Sequence, residues 1–237
     1  MRVLVVTGAG VSAESGIPTF RGKDGYWRNL DPIKLATPEA FARDPDLVWQ
    51  WYRERRRGIC NARPNPAHEA IAKLAQRADE FLLVTQNVDD LHERAGVTRA
   101  EMVQIHGDIF KTRCSRCSFE QEHDHDHERD GGTLPRCPRC DALMRPGVVW
   151  FGEPLPLQET ERVENYLQRD SCGVVIVAGT TATFGYIIDW ALRASHRGGR
   201  LIEVNPEETP LSQFATQLVR EPAAAALPRI VDQIARS

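Results

Sequence analysis

At 237 residues, 41% of them hydrophobic, the chain has the length for one large domain plus a small one and needs no disulfides to hold its core. Its formal charge of -3 argues against nucleic acid or an anionic membrane as the main partner, and no apolar run approaches the roughly 20 residues of a membrane span. Four of six cysteines fall into two Cys-x-x-Cys pairs while Cys60 and Cys172 stand alone, and Met1–Val6 is too short for a signal peptide, so a reduced, cytoplasmic protein is expected.

Arg2 to Thr7 reads as a buried strand running into Gly8-Ala9-Gly10 and a helix start, the opening of a nucleotide-binding βαβ unit. The glycines suit close approach to a pyrophosphate, with free N–H groups supplying the positive end. The third glycine, Gly16, comes late and Pro18 stops the helix early, which disfavours an ordinary dehydrogenase half. Thr19 to Trp27 is polar, glycine-rich and aromatic, the profile of a loop that folds over a ligand.

Residues 38 to 60 read as two helical segments, with Pro38 and Pro45 in their first turns. Leu47, Val48, Trp51, Tyr52 and Arg55 share one face. Arg55 is either a snorkelling arginine at the end of that stripe or a cation placed with Tyr52 in an apolar pocket to meet an acidic group. Arg53, Arg56 and Arg57 read as a solvated face. Asn65 caps a further helix with Pro66 in its first turn, and His68 reads as a structural hydrogen-bonder.

The apolar run Phe81 to Val84 delivers Thr85, Gln86, Asn87 and Asp89 at a strand's carboxyl end, and Met102 to Ile105 delivers His106-Gly107. Two strand ends would bring amide, carboxylate and imidazole together. Cys114-x-x-Cys117 and Cys137-x-x-Cys140, 19 residues apart, have the spacing of a four-cysteine zinc ribbon, whose closed site makes the metal structural. The histidines and acids of residues 123 to 132 read as a solvated loop in preference to a second metal site. A helix over 157 to 170, a strand over 172 to 178 ending in Gly179-Thr180-Thr181, a further helix, a strand at 201 to 204, a short strand within 215 to 219 and a helix over 224 to 236 complete the chain. This alternation predicts a doubly wound parallel, Rossmann-like α/β sheet with a small zinc-ribbon domain inserted and ligand contacts at the sheet's carboxyl edge.

The motifs G-A-G-V-S-A-E-S-G-I-P-T-F-R at 8 to 21, P-N-P-A-H at 64 to 68, T-Q-N-V-D-D-L-H at 85 to 92, H-G at 106, the four cysteines, G-V-V-W-F-G-E at 147 to 153, G-T-T at 179 and V-N-P at 204 together resemble the sirtuins, NAD-dependent protein lysine deacylases. Tyr52 and Arg55 in a Y-x-x-R arrangement resemble the branch that removes succinyl and malonyl groups. The segment 179 to 186 departs from the family's G-T-S and following valine and proline.

The resemblance implies an NAD-binding domain at 1–110 and 148–237 and a zinc module at 111–147, the latter joined by part of a helical region from 26–65. It implies NAD as co-substrate, one structural zinc ion per chain and acyl-lysine side chains of proteins as substrates, in a monomer with no nucleic-acid or membrane partner. The products implied are free lysine, nicotinamide and O-acyl-ADP-ribose, with His106 as general base on a ribose hydroxyl and Asn87 beside the reacting ribose. Gly8, Ala9 and Gly10 line the phosphates with Arg21. Ser12, Ala13, Glu14 and Phe20 belong to the same site, and Gln86, Asn87 and Asp89 hold ribose and carboxamide. Gly179, Thr180, Thr181, Asn205 and Ala223 surround the adenosine half. Val148, Val149, Trp150 and Phe151, continuing to Glu153, form one side of a strand-addition slot whose amides and carbonyls meet the substrate peptide, while Tyr52 and Arg55 meet the acyl carboxylate. A mono-ADP-ribosyltransferase, a non-catalytic NAD or ADP-ribose sensor, and a nucleic-acid reader built on the cysteine ribbon are the alternatives. The presence of both His106 and Asn87 weighs against the sensor, and the ribbon's acidic surroundings against the reader.

Overall fold

The computed structural model describes residues 1–19, 31–122 and 133–234. Six parallel strands form the main sheet: β1 (Arg2–Thr7), β2 (Glu80–Thr85), β3 (Met102–Gln104), β7 (Val174–Ala178), β8 (Arg200–Val204) and β9 (Gln217–Val219). Their order is β3-β2-β1-β7-β8-β9. The chain therefore builds outward from β1 in one direction and, after the smaller domain, outward from β7 in the other. The reversal lies between β1 and β7, which pair in parallel from Val3–Val174 to Thr7–Ala178. A doubly wound sheet opens its ligand crevice at this point, beyond the carboxyl ends of the two strands.

β1 and β7 are apolar almost throughout because helices cover both faces of the sheet. On one face Val3, Val5, Leu83, Ile176 and Ile202 pack against α5 (Pro66–Ala75) and α9 (Ala223–Ile234). On the other, Leu4, Val6, Val84, Val175 and Val177 pack against α7 (Leu157–Arg169) and α8 (Gly185–Ser195). The predicted caps are in place. Asn65 accepts the Ala67 N–H, and the His68 ring nitrogen Nδ1 accepts the Asn65 N–H, closing a capping box in which histidine stands where glutamate is usual.

The remaining helices, α1 (Gly10–Ala13), α2 (Pro32–Leu35), α3 (Pro38–Arg43), α4 (Pro45–Asn61) and α6 (Leu91–Arg94), are mostly short. A three-stranded sheet, β5-β4-β6, contains β4 (Gly107–Cys114), β5 (Glu120–Glu122) and β6 (Met144–Val148). A separate core, including Phe41, Val48, Trp49, Tyr52, Ile109 and Trp150, joins α2 to α4 to this small sheet.

The solvated face expected for Arg53, Arg56 and Arg57 is corrected at Arg56, which has no exposed surface. β4 and β6 slip register between the Gly107–Val148 and Thr112–Pro146 pairings, so that residues 108 to 111 bulge opposite the single residue Gly147. Arg56 on α4 takes carbonyls in that stretch, donating to Ile109 O at 2.6 Å and Lys111 O at 3.2 Å with its guanidinium over the Trp49 ring. Arg56→Met keeps much of the packing volume and removes these donors. It is expected to lower unfolding stability by about 2–4 kcal/mol, read as a lower urea midpoint, because buried acceptors lose their partners.

Candidate active site

Beyond the carboxyl ends of β1 and β7 lies a cavity of about 910 Å³. It is lined by Gly8, Ala9, Gly10, Ser12, Ala13, Glu14, Tyr52, Arg55, Gln86, Asn87, Asp89, His106, Val148, Val149, Trp150, Phe151, Gly179, Thr180, Thr181, Asn205 and Ala223. The fold thus brings together every expected binding or catalytic residue that it describes. Phe20 and Arg21, with most of the loop at 19 to 27, lie outside the described residues, as does the histidine-rich segment 123 to 132.

A Cβ on Gly10 would stand 2.8 Å from Gly179 Cα, so the glycines at the two strand ends are needed first for contact with each other. Free N–H groups were expected at the helix start, but Gly8 donates to Ala178 O, Gly10 to Gly179 O, Val11 to Gly8 O and Ser12 to Ala9 O. Two of these four amides are spent within the turn and two on carbonyls at the end of β7, since α1 is a single turn whose entry is sewn to that strand. Glu14 accepts from the Ala224 N–H at 2.8 Å and so ties α1 to the start of α9.

Past β2, the Asn87 side-chain amide donates to Ser12 Oγ at 3.0 Å, and Ser12 Oγ donates to Asp89 Oδ2 at 2.9 Å. Asp89 Oδ1 also accepts from the Leu91 N–H. Burial raises the pKa of Asp89, while these two hydrogen bonds pull it back. Gln86 spans the reversal, donating to Thr180 Oγ1 at 2.8 Å, and Asn205 donates to Thr180 O at 2.7 Å. Behind them His68 and His92 are buried with ring centroids 4.7 Å apart, and burial pulls both below the ordinary imidazole pKa, His68 to about 4. His68 has the structural role expected of it.

His106 follows β3 and precedes Gly107, where a φ of +82° and the 2.3 Å at which a Cβ would meet Gly147 O exclude any side chain and let the two backbones pack closely. That close approach brings β6 alongside, so that the Val149 N–H donates to His106 O. The His106 Nδ1 lies 3.1 Å from Gln86 O, and Nε2 lies 2.7 Å from the Tyr186 hydroxyl. Burial lowers the pKa of His106, and the bond to Gln86 opposes this.

The amides of the expected peptide slot are also corrected. Val149 N–H goes to His106 O, Trp150 N–H to Glu153 Oε2, Phe151 N–H to Ala36 O and Glu153 N–H to Trp150 O. The turn closed by Glu153 takes two of them and His106 and Ala36 take the others, so this segment has carbonyls rather than these amides to offer a partner strand. Glu153 is itself gripped by Arg113 and Arg145.

At the other end of the cavity Trp150 Nε1 donates to the Tyr52 hydroxyl at 2.9 Å, which leaves the hydroxyl its own proton to donate. Burial raises the Tyr52 pKa and keeps that proton in place. Arg55 is half-buried, with its guanidinium 5.0 Å from the Trp51 ring centroid and 5.6 Å from that of Tyr52. Sequence reasoning assigned no role to Phe184 or Tyr186, although both line the cavity. Their signal was the break in the family pattern after Gly179.

Away from the cavity, the Sγ atoms of Cys114, Cys117, Cys137 and Cys140 all lie within 4.8 Å of one another. Separations of 3.5 Å (Cys114–Cys140), 3.6 Å (Cys117–Cys137) and 3.7 Å (Cys117–Cys140) are far from a disulfide. They approach the edge of about 3.8 Å that a tetrahedron of 2.3 Å zinc–sulfur bonds requires. The Arg116 and Cys117 N–H groups both point at Cys114 Sγ from 3.3 Å, as expected around a thiolate ligand. The four cysteines therefore fit one structural zinc ion. Metal analysis should return one zinc per chain, and a strong chelator should lower the melting temperature by roughly 10 °C or more, because a closed thiolate site contributes folding energy.

Comparison with known proteins agrees with this geometry. The model of the Sir2 family matches residues 8–184. An NAD-dependent protein deacylase of Archaeoglobus fulgidus is 45% identical over 99% of this chain and 94% of its own, and one of Aquifex aeolicus is 43% identical over 99% and 95%. Among solved structures, a Sir2 homologue in complex with NAD superposes with a TM-score of 0.89 at 44% identity, covering 99% of this chain and 90% of that one. A mutant Sir2 homologue in complex with 2'-O-acetyl ADP ribose superposes with a TM-score of 0.90 at 42% identity, covering 99% and 92%.

Proposed function

The chain belongs to the Sir2 family and is an NAD-dependent protein deacylase, and on that premise we propose that it removes succinyl and malonyl as well as acetyl groups from protein lysines, handing them to ADP-ribose. The observation that carries the wider acyl range is the presence of Tyr52 and Arg55 in the same cavity as His106. A carboxylate entering an apolar pocket loses its hydration and is tolerated where a cation and a hydroxyl meet it. Arg55 supplies a planar, permanently charged fork, and Tyr52 a hydroxyl held by Trp150.

NAD supplies an electrophilic ribose carbon with nicotinamide as leaving group. In this reading Gln86, Asn87 and Asp89 orient the ribose and carboxamide, with Ser12 fixing Asn87 and Asp89 relative to each other. Gly8, Ala9, Gly10 and Arg21 serve the phosphates. Gly179, Thr180, Thr181, Asn205 and Ala223 serve the adenosine half, together with Ala13, Glu14 and Phe20 elsewhere along the cofactor. The acyl-lysine enters beside Val148 to Phe151. His106 accepts the proton of a ribose hydroxyl, and burial keeps its imidazole neutral and ready for this near neutral pH. The product ascribed to this chain is supported by the relative solved with 2'-O-acetyl ADP ribose.

The domain division is proposed in the same terms: 1–110 with 148–237 carries NAD, and 111–147 with part of 26–65 covers it. Among the described residues no helix is long and apolar enough to cross a membrane.

Acetyl-, malonyl- and succinyl-lysine peptides incubated with the protein, with and without NAD, test this reading by peptide mass. NAD-dependent loss of all three acyl groups is expected. Loss of acetyl alone contradicts the wider range. Mass added to the peptide would indicate ADP-ribosyl transfer, and NAD binding without any change of mass would indicate a sensor.

A further inference from the structure

We propose that the Tyr186 hydroxyl is a proton relay between the substrate-side hydroxyl and the His106 imidazole. The inference rests on His106 being the general base. Its starting point is the tautomer. Gln86 O, 3.1 Å from Nδ1, is a carbonyl and only accepts, so the neutral ring carries its proton on Nδ1 and a lone pair on Nε2. The group 2.7 Å from that lone pair is the Tyr186 hydroxyl, which must then be the donor. The one basic site of His106 is thus already engaged, on the cavity side, by a residue that also lines the cavity.

Tyr186 is poorly placed to swing aside. Its ring is stacked on Phe184, with planes 12° apart and centroids 5.6 Å apart, and leans on the buried Trp190 at 4.9 Å. Phe184 also meets the His106 ring edge to face at 5.8 Å. Withdrawing the hydroxyl from Nε2 would disturb the contacts of the tyrosine ring with Phe184 and Trp190.

A hydroxyl held there retains lone pairs through which it accepts from a further hydroxyl in the cavity. As the ribose O–H bond breaks, its proton passes to Tyr186 Oη. In the same event the phenolic O–H bond breaks and its proton forms the N–H bond on His106 Nε2. The ribose oxygen keeps its electron pair, the imidazole becomes imidazolium, and the tyrosine is neutral before and after. Burial raises the Tyr186 pKa, which disfavours a phenolate but leaves this concerted exchange open.

The test has an arm that needs no NAD. Nitrogen-15 NMR of the free protein should show His106 Nδ1 protonated and Nε2 as an unprotonated acceptor, with the Nε2 resonance moving in Tyr186→Phe as the hydrogen bond is lost. Protonation on Nε2 instead overturns the relay, whatever the variant does. In turnover, Tyr186→Phe should lower kcat for deacylation roughly 10-fold or more, leave KM for NAD within about twofold and leave exchange of labelled nicotinamide unimpaired, since that exchange precedes loss of the hydroxyl proton. An unchanged or faster kcat overturns the proposal, the latter by identifying Tyr186 as a mask on the base. If His106→Ala retains full deacylation, the general-base reading itself fails. If His106→Ala is inactive while Tyr186→Phe is unimpaired, the relay alone fails.

Discussion

Replacing His106 by alanine is expected to lower deacylation by roughly 10²- to 10⁴-fold, the span over which a positioned general base acts, with the protein still folded and still binding NAD. Its ring is anchored by Gln86 O and its backbone carbonyl receives Val149, so the side chain is held while the backbone contact survives the substitution. The pH profile supplies an independent check. Burial lowers the His106 pKa from 6.5, and only the neutral ring is a base. Activity should therefore persist below pH 6.5 and be lost as the ring protonates at still lower pH. An acid limb of kcat/KM centred above 6.5 would contradict the environment described for this imidazole.

The second large effect is selective. Arg55→Met should lower desuccinylation by roughly 10- to 100-fold, corresponding to about 1.5–3 kcal/mol for a charge-assisted contact, and leave deacetylation within a few-fold. The methionine preserves much of the apolar stem, so loss of packing against the Trp51 and Tyr52 rings is reduced and the comparison isolates the charge. Equal falls in both rates would assign Arg55 to packing, the role of a snorkelling arginine at the end of a helical stripe.

The doubly wound parallel class of the main sheet was legible because buried parallel strands declare themselves as apolar runs such as Val174–Ala178 and deliver polar residues at their carboxyl ends. Gln86, Asn87, Asp89 and His106 were readable for the same reason. What could not be read were contacts set by irregular backbone. Arg56 is buried against carbonyls of the register slip of β4 opposite Gly147, which no helical periodicity reveals. The amides of Val149, Trp150 and Phe151 are spent on three separate partners, His106 O, the Glu153 carboxylate and Ala36 O, two of them distant in sequence. Tyr186 reaches His106 across 80 positions of sequence, through the way α8 is packed after Gly179. In each case the residue was visible and its partner was not, since the partner is fixed by tertiary geometry.

The most direct measurement of the central claim is the mass and amount of the small molecules formed from NAD and one acyl-lysine peptide. The account predicts nicotinamide and O-acyl-ADP-ribose in equal amounts, each matching the free lysine produced. Release of the acyl group as a free carboxylate with NAD intact would contradict it.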